Sequence, residues 1–177
     1  TQRDEMRQSV DLQGVDFATA LSVIEAARQM WEGTTRTLCT EEELEGRYRI
    51  RGELGRGSVG TVYRAIRVED AEELAVKVIE HGDSAVERAS AIDECALWMA
   101  VSSPYHPSIL PLLEVIEVIG SESLHLITLK MEWGTLAEAL QDVEVETCEQ
   151  STRMMMIQLV SAVEHLHIVH SIAHRDI

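Results

Sequence analysis

Hydrophobic and polar positions change rhythm four times along the chain. Between Asp16, placed as an N-cap, and Trp31, the residues Phe17, Leu21, Ile24 and Met30/Trp31 recur at helical spacing. A capping-box pattern, Thr40-x-x-Glu43, stands just ahead of the strand-like stretch Tyr48–Arg51. From Tyr48 the period becomes that of strands. Thr61–Val68 is rich in β-branched residues with rough alternation, and Leu74–Ile79 is apolar enough for burial on both faces. Helical spacing returns after Ser84-x-x-Glu87, with Val86, Ala89, Ile92, Cys95, Trp98/Met99 and Val101 on one stripe, until Pro104 and Pro107 end it.

Two further strands are predicted, about Leu112–Ile119 and Leu124–Lys130, with Gly120-Ser121 as the turn between them. The last portion is helical again. Leu136 and Leu140 mark a short helix, and Thr147-x-x-Gln150 opens a long one through His167, carrying Met155, Ile157, Leu159, Val160, Val163 and Leu166. The expected architecture is therefore α+β, with five strands and one inserted helix followed by two helices. No internal repeat or low-complexity linker interrupts it.

Composition narrows the function. The chain has 177 residues, 45% hydrophobic and 26% charged, and a net charge of −16 from 31 acidic and 15 basic residues. Nucleic acid and anionic membrane are poor partners for such a field, because phosphate binding needs clustered Lys and Arg. Only three cysteines occur, far apart and without CxxC spacing, which argues against a disulfide framework or zinc site and for a reducing, cytoplasmic setting. No apolar run is long enough to span a bilayer, and no signal-peptide pattern opens the chain.

The candidate chemistry begins at Gly55-x-Gly57-x-x-Gly60. Glycines let the backbone approach phosphate oxygens without a Cβ, and the exposed N–H groups favour anions. The same pattern occurs in dinucleotide-binding folds, which need a helix directly after the glycines. Here Thr61–Val68 is strand-like, so the glycines join two antiparallel strands as a flap. That sets an oxidoreductase aside.

Together with Val62, with Ala75-Val76-Lys77, with His106-Pro107-Ser108-Ile109-Leu110 and with His174-Arg175-Asp176, the flap resembles the protein kinase family from about Tyr48 to Ile177. The resemblance implies an N-lobe of a five-stranded antiparallel sheet plus one helix, then the first helices of a C-lobe. Residues 1–46 would form an extension with a helix, 47–133 the N-lobe and hinge, and 134–177 the start of the C-lobe. It further implies ATP and Mg2+ as cofactors, a protein substrate, and phosphoryl transfer to a serine or threonine hydroxyl.

Residue by residue, the resemblance assigns Gly55, Gly57, Ser58 and Gly60 to the phosphate flap and Lys77 to the α- and β-phosphates. A buried lysine needs a carboxylate partner, and Glu94 is the best placed on the following helix. Val62 and Ala75 would enclose the adenine, Thr128 would line the back of the pocket, and the backbone from Leu129 to Met131 would meet the base. Asp176 resembles the aspartate that orients the acceptor hydroxyl and takes its proton. Arg175 resembles the contact to a phosphorylated activation loop. His165, His167 and His170 lack a ligand pattern and read as ordinary helix-end residues. So does the Met154–Met156 run, as core.

The chain departs from the family by stopping at Ile177, before the magnesium-binding asparagine and the D-F-G aspartate. It also opens on Thr1 rather than Met. A piece of a longer kinase, inactive by itself, is the expectation. The alternative is a pseudokinase or regulatory binding module, which the intact Lys77, Glu94 and Asp176 disfavour.

Overall fold

The computed structural model describes residues 36–132, 135–136 and 149–174. The expected helix between Asp16 and Trp31, the short helix at Leu136–Leu140 beyond its first residues, and Arg175 and Asp176 lie outside the described residues, as does Thr147. The elements run β1 (Arg36–Cys39), α1 (Glu41–Arg47), β2 (Tyr48–Gly57), β3 (Gly60–Arg67), β4 (Glu73–Glu80), α2 (Ala85–Val101), β5 (Leu112–Val118), β6 (Ser123–Leu129) and α3 (Glu149–His170).

The strands form one sheet in the order β1-β5-β6-β4-β3-β2. The five strands from β2 to β6 pair antiparallel. A sixth, β1, precedes residue 47 and lies parallel to β5, with Arg36 opposite Val115 and Cys39 opposite Val118. Four residues offer too short a run for alternation to show, so only the pairing reveals this strand. It joins α1, whose capping box is complete. Thr40 Oγ1 accepts from the Glu43 N–H at 3.2 Å, and the Thr40 N–H donates to Glu43 Oε2 at 2.8 Å.

Each face of the sheet has its own core. Against α2 pack Ile79, Leu112, Val115, Leu124 and Leu126, meeting Ala91, Cys95 and Ala96 of the helix. On the other face Leu44 of α1 covers Cys39, Tyr48, Ala65, Leu74, Val76, Ile116, Val118 and Ile127. Strand β4 serves both layers, with Leu74 and Val76 on one side and Ile79 on the other, which explains its nearly unbroken apolar sequence.

Helix α2 starts at Ser84, whose Oγ accepts from the Glu87 N–H at 3.3 Å. It stops before the prolines. There the Trp98 indole N–H donates to the Leu110 carbonyl at 2.8 Å, and Ser102 Oγ accepts from the Leu112 N–H at 2.9 Å. The bulky Trp98 thus anchors the chain where it re-enters the sheet. The following turn meets α3 through His106. Its Nδ1 accepts from the Ser108 N–H, which leaves the proton on Nε2, 3.1 Å from Ser161 Oγ.

Candidate active site

The flap is the β2–β3 hairpin. Gly55 pairs with Val62 and Gly57 with Gly60, leaving Ser58 and Val59 as the two-residue tip. Two irregularities in β2, between Ile50 and Gly55, bend it as bulges do. Gly60 is obligatory. Its φ is +150°, and a Cβ there would stand 2.3 Å from the Val78 carbonyl oxygen. At Gly55 an added Cβ would meet nothing within 4 Å, and at Gly57 only the Gly60 oxygen at 3.9 Å. The flap therefore has open room over these glycines. Gly60 leads directly into strand β3, as the phosphate-flap reading requires.

Cross-strand register gathers the next residues. Val62 lies opposite Lys77, and Lys77 opposite Leu126. Ala75 lies opposite Thr128. Directly paired residues point to the same side of a sheet, so Val62, Ala75, Lys77 and Thr128 share the face on which α2 packs. Ala75 and Thr128 are buried. Leu129 closes β6 and Met131 lies just beyond it, both exposed at the end of the strand.

From α2, Glu94 reaches this face. Its Oε1 accepts from Lys77 Nζ at 2.5 Å, a short charge-assisted contact. The pair is partly open to solvent, at 22% for the lysine and 36% for the glutamate, so it positions groups more than it stabilises the fold. A cleft of about 520 Å³ runs between flap and helix, lined among others by Gly57, Ser58, Gly60, Thr61, Glu87 and Glu94. Beside the pair, Cys95 is fully buried. Burial, reinforced by the Glu94 charge, pushes its thiol up to about 12, so it stays protonated.

Two acidic residues of β5, absent from the sequence-based assignments, organise the opposite end of the sheet. Glu114 Oε2 accepts from the Tyr48 hydroxyl at 2.7 Å and Arg47 Nη2 at 2.8 Å, while its Oε1 accepts from Thr37 Oγ1 at 2.6 Å. Burial alone would raise this carboxyl, but the bonds from Arg47, Thr37 and Tyr48 outweigh it and hold it below the usual range. Glu117 lies between Arg36, at 2.7 Å, and Arg88 of α2, at 2.8 Å. Their only signal in sequence is a pair of acids inside the apolar run Leu112–Val118.

Comparisons with known proteins bear on the family and the fold. The model of the protein kinase domain matches residues 48–177, and the chain belongs to that family. Calcium/calmodulin-dependent protein kinase type II of Schizosaccharomyces pombe is 30% identical over 132 residues, covering 74% of this chain and 25% of that protein. Serine/threonine-protein kinase PLK4 of Danio rerio is 31% identical over 128 residues, covering 70% of this chain and 13% of that protein. Among solved structures, a twitchin kinase fragment of C. elegans superposes with a TM-score of 0.62 at 20% identity. It covers 78% of this chain and 30% of that one, and it shows the shared fold. The chain thus spans a quarter or less of the length of these two curated relatives. Among the described residues no helix is long and apolar enough to cross a membrane.

Proposed function

We propose that these residues form the nucleotide-binding part of an ATP-dependent protein kinase that phosphorylates serine or threonine hydroxyls of proteins. One observation carries the reading: Lys77 and Glu94 are paired at 2.5 Å on a sheet whose glycine hairpin continues as a strand. The domain limits belong to the same proposal, with the N-lobe and hinge at 47–133 and the C-lobe beginning at 134. Two free, buried cysteines, Cys39 and Cys95, accord with a cytoplasmic location.

In this reading the flap backbone at Gly55, Gly57, Ser58 and Gly60 donates N–H groups to the phosphates, for which the open space over the glycines leaves room. Lys77 supplies a fixed ammonium, held in place by Glu94, so that charge need not be organised during transfer. Val62 and Ala75 enclose the base, Thr128 backs it, and the backbone of Leu129 to Met131 bonds its edge. Magnesium, when bound, supplies charge neutralisation on the phosphate oxygens. Asp176 orients the acceptor hydroxyl and takes its proton as the new phosphorus–oxygen bond forms and the bond from the γ-phosphorus to the bridging oxygen breaks, releasing ADP. Arg175 ties that loop to a phosphorylated segment. The serine/threonine assignment is supported by likeness to a relative of that name and by Ile177 after the aspartate.

The test is Lys77→Met in the full-length protein. Transfer should fall at least about a hundredfold, and binding of Mg·ATP should weaken while the melting temperature stays near that of the parent. Unchanged ATP affinity and turnover in that variant would overturn the reading. The polypeptide 1–177 alone, lacking the D-F-G aspartate, should show no ATP-dependent phosphorylation of itself or of a generic protein substrate.

A further inference from the structure

The segment 36–47 stands outside the residues matched by the family model, yet it is fastened to the sheet on both faces. On the α1 side the fastening is Thr37 and Arg47 to Glu114. On the α2 side it is Arg36 to Glu117, and Glu117 also holds Arg88 of α2 through its other oxygen. Arg36 Nε and Glu117 Oε2 are themselves shielded from solvent and lie 2.7 Å apart as an ion pair without an aligned hydrogen bond, so this partly buried carboxylate oxygen depends on the arginine charge beside it. Arg88 lies on the same helix as Glu94, six positions earlier in sequence.

We propose that β1 is a positioning element for α2. Arg36 keeps the Glu117 carboxylate aimed at Arg88, and Arg88 in turn holds α2 at the distance where Glu94 reaches Lys77. Loss of β1, or of Arg36 alone, lets α2 swing from the sheet and separates that pair. The inference deepens the proposed function, on which the meaning of the Lys77–Glu94 pair rests. It identifies Arg36, Glu117 and Arg88 as positioning residues, since none of them lines the flap cleft. The coupling runs through a continuous chain of contacts rather than through distance alone.

Cys95 reports the movement. Its thiol is enclosed between α2 and the sheet, next to Glu94, and becomes alkylatable only when the helix opens. In the 177-residue chain, iodoacetamide labelling resolved by peptide mass spectrometry should be roughly fivefold faster at Cys95 in Arg36→Ala than in the parent. Arg88→Ala, which leaves β1 intact, should match Arg36→Ala. Thr37→Val, which frees β1 only from Glu114, should leave Cys95 protected.

Equal Cys95 labelling in Arg36→Ala and the parent would overturn the proposal. So would a rise that appears equally in Thr37→Val, because it marks general loosening. Mg·ATP titration of the full-length protein keeps the two claims apart. Selective Cys95 exposure in the 177-residue chain, with no ATP binding by the full-length protein, would sustain the coupling of β1 to α2 while defeating the kinase reading.

Discussion

At Gly60 backbone geometry and side-chain exclusion coincide. Substitution to alanine strains a φ of +150° and drives a methyl into the Val78 carbonyl. Gly60→Ala should cost about 2–3 kcal/mol in denaturant unfolding. Gly55→Ala, with open space around it, should leave stability within about 1 kcal/mol. Two titratable residues also carry stability that depends on pH. Burial lowers the His125 imidazole from its ordinary 6.5, so the unfolded chain takes up its proton first. Its contribution is therefore complete above about 6.5 and declines as pH falls below that value. Glu114, depressed from 4.5, contributes fully above that pH and loses its contribution further into acid. Melting curves between about pH 8 and 3 should show both declines, with His125→Leu removing the first and Glu114→Gln the second.

Among the elements, α3 is the least provided for. Met154, Met156, Ile157, Leu159, Val160, Ile168 and Val169 are all exposed, whereas Ala162 and Leu166 are buried. A stripe of this kind promotes self-association. The double substitution Ile157→Lys and Val160→Lys keeps good helix formers in place and should raise the monomer fraction in sedimentation while lowering binding of a hydrophobic dye. The strands from β3 to β6 and both long helices were legible in sequence because each runs seven residues or more as an alternating, a continuously apolar or a helically spaced stretch. The Lys77–Glu94 partnership was expected from the resemblance to the kinase family, because a buried lysine needs a carboxylate and Cys95, Leu97, Trp98 and Val101 after Glu94 fit the family's apolar register. By contrast β1 is four residues long, and its attachments are made by Glu114 and Glu117, 66 to 81 positions away in sequence from the arginines and hydroxyls of 36–48. Local pattern cannot encode a partner at that distance. His125, set in an apolar strand, shows no signal beyond being polar.

For the molecule as a whole, a net charge of −16 leaves a negative field that should draw in basic segments. Several of its arginines are already committed. Arg36 and Arg88 hold Glu117, Arg47 holds Glu114, and Arg67 holds Asp70 and Glu72. Any basic peptide recruited by the surface should accordingly be released as salt rises, which fluorescence anisotropy between about 20 and 300 mM salt would register as falling affinity.

The parallel strand that accompanies β5 has a practical consequence for how the protein is cut. A polypeptide begun at Tyr48, where likeness to relatives starts, would strip the outer flank of β5 of its hydrogen-bonding companion. Bare N–H and C=O groups on a strand as apolar as Leu112–Val118 invite docking of a foreign strand. Such a truncation should precipitate or swap segments between molecules, whereas one begun at Arg36 or earlier should stay dispersed.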